Sequence, residues 1–486
     1  MTTDMSHTLF MDWVSSFKGM KLNASGCSAL EKLPNELLTQ ILKCVALSDT
    51  TQKFHDMKDN FPEANPNKKS EESSLFSCLL TSHRLHNIAL GLTYQCPKIS
   101  NFDQFVQVLN QRPDYRPLVR SLDLSQFQRK TTPKDLPTSL SLTPRLKRLS
   151  LHLDAFRDPE TTSKIFSSFQ DLEAIDIQGN FDVEWDEVLS PLNYAGLHPE
   201  TTYSITSLLL QGIQFGKFLL ALLPRCPNLQ VLDVQNCYLD HGVLSSLHGD
   251  ARLTHFILES SQGIDGDELV EFLTKHPAVI NSLEVMNLSK VYCYQARPLG
   301  REHVTTILDH APASLRSLNL GGCDMDISHL SRLQELSTQL EELGVGRNLS
   351  MRDVEHVLLG SRYDLNQISV KNATAKDKVT NPQLAAMENA VAAVQLRQRV
   401  RSLSLKRHHA SLPPAPRIRH LALRSMYLDI DDLRSSFLLG LQSLPLRTIE
   451  LPHMMIADHQ ELVQFCAAVG WKVKWVGSRI WLERKE

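Results

Sequence analysis

A six-residue pattern, L-x-x-L-x-L with Val or Ile often in place of Leu, recurs from residue 119 almost to the end of this 486-residue chain. Thirteen copies follow one another at a mean spacing of about 27 residues, which is typical of proteins built from stacked repeats. The last three positions of each copy alternate apolar, polar and apolar, and this period indicates a short strand with one buried face. The copies begin at Val119, Leu146, Leu172, Ile205, Leu229, Leu253, Ile280, Leu315, Leu340, Leu365, Val400, Ile418 and Leu446.

Segments with apolar residues at i, i+3 and i+4 lie between several copies and predict helices. They follow Phe215, Asp265, Met351 and Ala457. Asp240, Asp265, Ser350 and Asp458 stand where N-caps are expected. One strand and one helix per repeat predict an α/β leucine-rich-repeat solenoid over residues 119–486, curved, with strands on the concave face and helices on the convex face. Three tryptophans near 471–483 predict a C-terminal cap over the last repeat.

Eight residues after the start of a copy, many such repeats carry Asn or Cys, whose side chain satisfies backbone groups where the chain leaves the strand. Asn180, Cys237, Cys323 and Asn348 occupy that offset. We therefore interpret Cys237 and Cys323 as structural residues. The chain has 9 cysteines at irregular spacings and no CxxC, which argues against a disulfide framework and favours a reducing compartment.

The charges nearly balance, since 51 Lys and Arg face 54 Asp and Glu. This balance removes the global electrostatic reason for binding nucleic acid or an anionic membrane. No apolar stretch reaches the ~20 residues needed to span a bilayer, and the N-terminal sequence lacks the pattern of a signal peptide. We expect an intracellular protein, cytoplasmic or nuclear or both, with neither a nucleic acid nor a membrane among its partners.

A different module precedes the repeats. Residues 30–48 read LEKLPNELLTQILKCVALS, in which Pro34 suits the first turn of a helix. A polar stretch over 49–74 follows and predicts a flexible insertion. A second helix is expected after it, in LFSCLLTSHRLHNIALGLTYQ. The apolar face of the first helix is formed by Leu33, Leu37, Leu38, Ile41, Leu42 and Val45.

This module resembles the F-box. The Leu-Pro opening and the Glu-Leu-Leu-x-x-Ile-Leu helix of that family are matched from Leu33 to Leu42, and its later helix is matched by Ser82, Arg84, Leu85, Ile88 and Ala89. The whole chain is similar to F-box/leucine-rich-repeat proteins of the fungal type. The resemblance implies a tail over 1–29, an F-box-like helical module over 30–92, and a connecting helix with a first cap over 93–118. It also implies that a Skp-family linker docks on Leu33, Pro34, Leu37, Leu38, Ile41 and Leu42.

The chain lacks the motifs that carry chemistry. It contains no G-x-x-x-x-G-K-[ST], G-x-G-x-x-G, H-E-x-x-H or G-x-S-x-G. Its 19 histidines include no convincing set of metal ligands. We therefore predict no enzyme activity, no cofactor and no metal site.

The outward strand positions, at offsets 2, 4 and 6 of each copy, change charge along the chain. Early copies give Asp123, Asp176, Asp233, Glu259 and Glu284, and later copies give Lys371, Lys406 and Arg424. We predict that Lys371, Lys406, Arg407 and Arg424 bind the substrate, with the offset-6 cations forming a ladder on neighbouring strands that attracts an acidic or phosphorylated segment. The alternative interpretation is an ordinary solvated face.

Two functions fit these features. The first is a non-catalytic adaptor of a Skp-cullin-F-box ubiquitin ligase, whose helices bind the linker and cullin assembly and whose repeats bind a protein substrate. The second is a leucine-rich-repeat scaffold or inhibitor that binds proteins without ubiquitin machinery.

Overall fold

The chain divides into two compact units, Met1–Pro97 and Lys98–Glu486. Each is described by itself below. The computed structural model describes residues 32–56, 78–79, 82–99, 101–127, 136–156, 165, 171–179, 201–212, 216–290, 292–293, 297–360, 390–398, 400, 415–476 and 479–485.

Among the described residues, the first unit has two helices with defined bounds, α1 (Asn35–Asp56) and α2 (His83–Gln95), and residues 78–79 are also helical. They pack through Leu38 and Leu42 of α1 and Leu85 and Ala89 of α2, all buried. Because α1 continues to Asp56, the stretch predicted as a flexible insertion begins as helix, and residues 57–74 of that stretch lie outside the described residues.

The second unit is built on a large sheet in which, among the described residues, eleven strands run parallel in chain order. Each spans three to five residues, which is the length that the repeated motif predicts. The strands are β1 (Ser121–Leu124), β2 (Arg148–His152), β3 (Ala174–Gln178), β4 (Ser207–Gln211), β5 (Val231–Gln235), β6 (His255–Ile257), β8 (Val285–Asn287), β11 (Ser317–Asn319), β12 (Glu342–Gly344), β13 (His420–Ala422) and β14 (Thr448–Leu451).

Helices pack against the buried face of this sheet. The ring of Phe256 in β6 lies 5.2 Å from that of Phe272, which belongs to the helix Gly266–Lys275. This helix and the next three, Arg301–Asp309, Leu330–Leu336 and Met351–Leu359, pack on one another in order. Asp265 caps the helix over Gly266–Lys275 and Ser350 caps the helix over Met351–Leu359, which confirms two of the four predicted caps. The cap predicted at Asp240 is wrong, because the residues that follow it form turns and not a helix. The helices are α3 (Phe102–Gln111), α4 (Leu136–Leu140), α5 (Gly216–Leu222), α6 (Gly266–Lys275), α7 (Arg301–Asp309), α8 (Leu330–Leu336), α9 (Met351–Leu359), α10 (Ile430–Ser435) and α11 (His459–Val469), and residues 390–398 are also helical.

A smaller sheet and a terminal hairpin complete the unit. The small sheet joins β7 (Gln262–Ile264), β9 (Tyr292–Cys293) and β10 (Arg297–Pro298). At the end of the chain, β15 (Trp471–Val476) and β16 (Arg479–Arg484) form an antiparallel hairpin, and β16 pairs with β14. Trp471 is buried and its Nε1–H donates to the Leu439 carbonyl at 2.9 Å, so the hairpin covers the last repeat.

The repeat register is correct for every described strand except β8. Val285 pairs with His255, which stands at offset 2 of its own copy, so the copy in β8 starts at Leu283 and reads LEVMNL. The predicted start, Ile280, is exposed, whereas Leu283 is buried. Glu284 therefore stands at offset 1 and not among the outward positions, which corrects the sequence prediction.

The two copies predicted at Leu365 and Val400 add no strand between β12 and β13. Those two strands pair directly, with Leu343 opposite Leu421. Val400 is helical, and Leu365 lies outside the described residues. Because β14 occupies the other edge of β13, neither copy supplies a neighbour to the strand that precedes Arg424.

Side chains at offset 8 link consecutive repeats. The Cys237 thiol lies 3.6 Å from the Leu210 carbonyl oxygen, and the Cys323 thiol lies 3.5 Å from that of Leu288. Both cysteines are buried, which confirms their structural role. Ser261 occupies the same offset in its copy and donates to the Val234 carbonyl at 2.8 Å, so a hydroxyl performs this task where the sequence lacks Asn or Cys.

Candidate functional site

The six residues predicted to bind a linker divide into two groups on α1. Leu38 and Leu42 are buried against α2 and complete the core of their own unit. Pro34 is exposed and 45% of Leu37 is exposed, while Leu33 and Ile41 are half-buried. The apolar surface that this helix leaves exposed therefore centres on Pro34 and Leu37.

The start of α1 is held by a residue of α2. Arg84 donates from Nη2 to the Leu33 carbonyl at 2.5 Å, and from Nε to Asn35 Oδ1 at 2.8 Å. Ser82 caps α2 by accepting from the Leu85 amide. Because Arg84 fixes the chain on both sides of Pro34, the exposed turn around Pro34 and Leu37 keeps a defined position on α1.

In the second unit, outward side chains at offsets 2, 4 and 6 line what we call the open face of the sheet. Asp123, Asp176 and Asp233 hold offset 4 on β1, β3 and β5. Burial raises the pKa of Asp176 and Asp233, and Gln178 and Gln235 partly offset this by donating to them. Within the part of the chain that the structure describes, these two aspartates form no ion pair.

The other end of the open face holds a pocket of oppositely charged groups. Glu259 follows β6 and Arg424 follows β13, which is a distant strand of the same sheet. Even so, Glu259 Oε1 accepts a hydrogen bond from Arg424 Nη1 at 3.0 Å. Arg479 at the start of β16 places Nη2 3.5 Å from the same oxygen. The pocket is lined by Glu259, Asn287, Ser289, Lys290, Asn319, Gly321, Ala422, Arg424, Ser425, Glu450 and Arg479.

These contacts show that the open face is concave. Along the sheet, β6 and β13 are four strand steps apart, about 19 Å in a flat sheet, which an arginine and a glutamate side chain cannot bridge. Small residues line this part of the sheet: Gly321 after β11, Gly344 in β12 and Ala422 in β13. A Cβ on Gly344 would overlap the Asn319 side chain, so glycine there gives Asn319 room on the inner side of the curve.

Glu450 and Lys290 complete the pocket. Glu450 is only 5% exposed; its Oε1 accepts no hydrogen bond from the described residues, and Arg479 Nε lies 3.7 Å away. Burial raises the pKa of Glu450. Burial and the nearby Arg424 guanidinium lower the pKa of Lys290, which forms no ion pair with the described residues.

Of the four residues predicted to bind substrate, Arg424 lies in this pocket. Lys371, Lys406 and Arg407 lie outside the described residues, and their role stays a prediction. The predicted ladder through Arg424 is wrong, because β12 and β14 occupy both edges of its strand.

Sequence reasoning missed three charged residues of the pocket. Glu450 stands at offset 4 of its copy, where the offset rule applied to every repeat would have found it. Lys290 follows the strand whose register was misassigned by three residues. Arg479 belongs to the terminal hairpin and carries no repeat signal.

The described residues contain no group of three His, Cys, Asp or Glu side chains placed to hold a metal ion. Seven cysteines within the described residues take part in no disulfide. Burial raises the pKa of Cys226 and Cys466 to about 12, which keeps both as poorly nucleophilic thiols. None of the described helices is both long and apolar enough to cross a membrane.

No protein-family model and no curated protein matches this chain. Among solved structures, it is similar to the leucine-rich repeat-containing protein LegL7 of Legionella pneumophila, with 15% identity over 49% of this chain and 79% of that one and a TM-score of 0.28. The leucine-rich-repeat-like architecture of the second unit stands on its own strand order and repeat spacing. None of these comparisons supports the F-box resemblance of the first unit, which stays a prediction.

Proposed function

We propose that this protein is a non-catalytic adaptor that brings two proteins together. Its N-terminal helices dock a Skp-family linker, and through it a cullin, while the concave open face of the sheet holds a protein substrate for ubiquitin transfer by a separate enzyme. The observation that carries the first half is the arrangement of α1, in which Leu38 and Leu42 fill the core while Leu37 remains exposed beside Pro34.

An exposed leucine next to a fixed proline is a suitable anchor for a partner. Burying one leucine side chain contributes roughly 1.5–3 kcal/mol, and amphipathic helices commonly bind by placing such anchors in an apolar groove. The Arg84 hydrogen bonds support this role, since they fix the turn before binding and so reduce the entropy lost on docking.

The large parallel sheet supports the second half of the proposal. Stacked repeats present an extended surface whose outward positions vary without disturbing the core. The charged pocket lies on that surface, and its residues suit recognition of a polar partner.

The test is capture of the linker and cullin from cell lysate by the full-length chain carrying Leu37→Glu. We expect capture to fall at least about tenfold, because a carboxylate cannot enter an apolar groove. The matched control is Val463→Glu on α11, which alters a partly exposed apolar residue of the other unit and should leave capture unchanged. Unchanged capture by Leu37→Glu, with helical content preserved, would exclude the linker role and favour the scaffold or inhibitor alternative.

A further inference from the structure

We propose that the pocket formed by Lys290, Arg424 and Arg479 is an oxyanion-recognition site that binds a carboxylate or phosphate on an extended segment of the protein partner. This inference rests on the proposed protein-binding role of the open face and names the chemistry of what binds there.

The depths of the charges favour an anion. The Arg424 and Arg479 side chains are 32% and 42% exposed, whereas the Glu259 side chain beneath them is 16% exposed. A ligand arriving from solvent therefore meets guanidinium groups first. Both arginines share one oxygen, Glu259 Oε1, so each keeps further N–H donors for a second acceptor.

The charge balance points the same way. Three cations, Lys290, Arg424 and Arg479, share the pocket with two carboxylates, Glu259 and Glu450. One added negative charge completes neutrality, and an anion of either kind relieves the repulsion that Lys290 experiences from Arg424. Charge-assisted hydrogen bonds from an arginine fork to a carboxylate or phosphate are among the strongest that a partly buried site offers.

Glu450 indicates that the anion arrives on a peptide. Its Oε1 is buried and accepts no hydrogen bond from the described residues, which is costly for a carboxylate unless a donor arrives. A free ion such as phosphate satisfies the cations, and a segment of polypeptide also brings backbone N–H donors. Asn287, Asn319, Ser289 and Ser425 line the same pocket and can bind the carbonyl groups of that segment.

The first experiment compares thermal unfolding of the full chain in inorganic phosphate and in sodium chloride at matched ionic strength. We expect phosphate to raise the Tm by about 2 °C more for the wild-type chain than for Lys290→Gln. Lys290 suits this test because it forms no ion pair with the described residues, so its replacement breaks none. Lys275→Gln on α6 is the matched control and should respond to phosphate like the wild type. An equal response by Lys290→Gln and the wild type would overturn the proposal.

The second experiment separates the two sources of the anion. Three labelled peptides that differ only in carrying phosphoserine, glutamate or glutamine at one position are titrated with the full chain, and anisotropy is measured. We expect the anionic peptides to bind about tenfold more tightly than the glutamine peptide, and Lys290→Gln to remove that difference. Preference for phosphoserine over glutamate assigns the site to phosphorylated segments, and equal binding of all three peptides would contradict the inference.

Capture of the linker keeps the two proposals separable. Lys290→Gln should retain linker capture in full, because it lies outside the first unit. If Leu37→Glu fails to reduce capture while the Lys290-dependent phosphate effect is present, the adaptor role is wrong and the anion site still stands on the scaffold alternative.

Discussion

The two ends of the open face carry the same chemical group in different surroundings. On β1, β3 and β5, Asp123, Asp176 and Asp233 form no ion pair within the described residues, and burial raises the pKa of the last two. Around β6 and β14, Glu259 and Glu450 lie beneath Arg424 and Arg479. The difference comes from the curvature of the sheet. Small residues such as Gly344 and Ala422 hold offset 4 on β12 and β13, which lets side chains of distant strands meet. In the acidic part, a larger residue, Leu209, holds offset 4 on β4.

The largest effect on stability should come from replacing one of these small residues with a larger one. Gly344→Val places a Cβ against the Asn319 side chain, and overpacking of this kind costs about 2–3 kcal/mol. Denaturant unfolding should show the loss, and the pocket should lose its anion response because Arg424 no longer reaches Glu259. Leu209→Val at the same offset of β4 is the control and should cost less than about 1 kcal/mol. Equal stability of Gly344→Val and the wild type would refute the account of the curvature.

A smaller effect is expected from the carboxylate that joins the distant strands. Glu259→Gln removes the charge that both arginines contact and should lower stability by about 1–2 kcal/mol, a figure discounted for the exposure of the arginines. The loss should shrink as sodium chloride is added. Asp123→Asn in the acidic part should change stability by less than about 0.5 kcal/mol at any salt concentration. If both variants lose the same stability with the same salt dependence, the ion pairs around Glu259 do not stabilise the curved sheet.

The smallest effect concerns the acidic part and has the opposite sign. Because the pKa of Asp233 is raised in the folded chain, the folded state binds more protons than the unfolded state between the two pKa values, and stability falls as pH rises through that interval. Asp233→Asn should therefore stabilise the chain at neutral pH by roughly 0.5 kcal/mol, after allowance for solvent screening.

That gain should disappear as the pH is lowered below the ordinary pKa of an aspartate, where the carboxyl is protonated in both states. Thermal unfolding of the two chains across this pH range measures it. A gain that is constant with pH would indicate a cause other than the charge of Asp233.

The sequence predicted the helix α1 of the first unit, but not which of its apolar residues remain exposed. The motif from Leu33 to Leu42 indicated a helix with one apolar face, and this is what α1 forms. It did not separate Leu38 and Leu42, which pack on α2, from Leu37, which remains exposed, because all three belong to one broad apolar face until a neighbouring helix covers part of it.

The copy of the repeat in β8 shows that the local sequence pattern can leave the strand register ambiguous. INSLEV satisfies the motif, and LEVMNL, which overlaps it by three residues, departs from it only in Met286 at the fourth position. Burial of Leu283, Met286 and Leu288 selects the second, since the core has room for one register only. The copy at Val400 fits the motif as well, yet Val400 is helical and β12 pairs directly with β13.

By itself, the sequence determined the alternation of buried and outward residues along each strand, the strand-and-helix repeat, and the caps at Asp265 and Ser350. These depend on neighbours within a few residues, so they can be read locally. Only the tertiary structure decided that Glu259 meets Arg424, 165 residues away, and that Arg479 joins them from the terminal hairpin. That contact depends on curvature summed over several strands, which follows from how side chains of different repeats pack together and not from any one repeat.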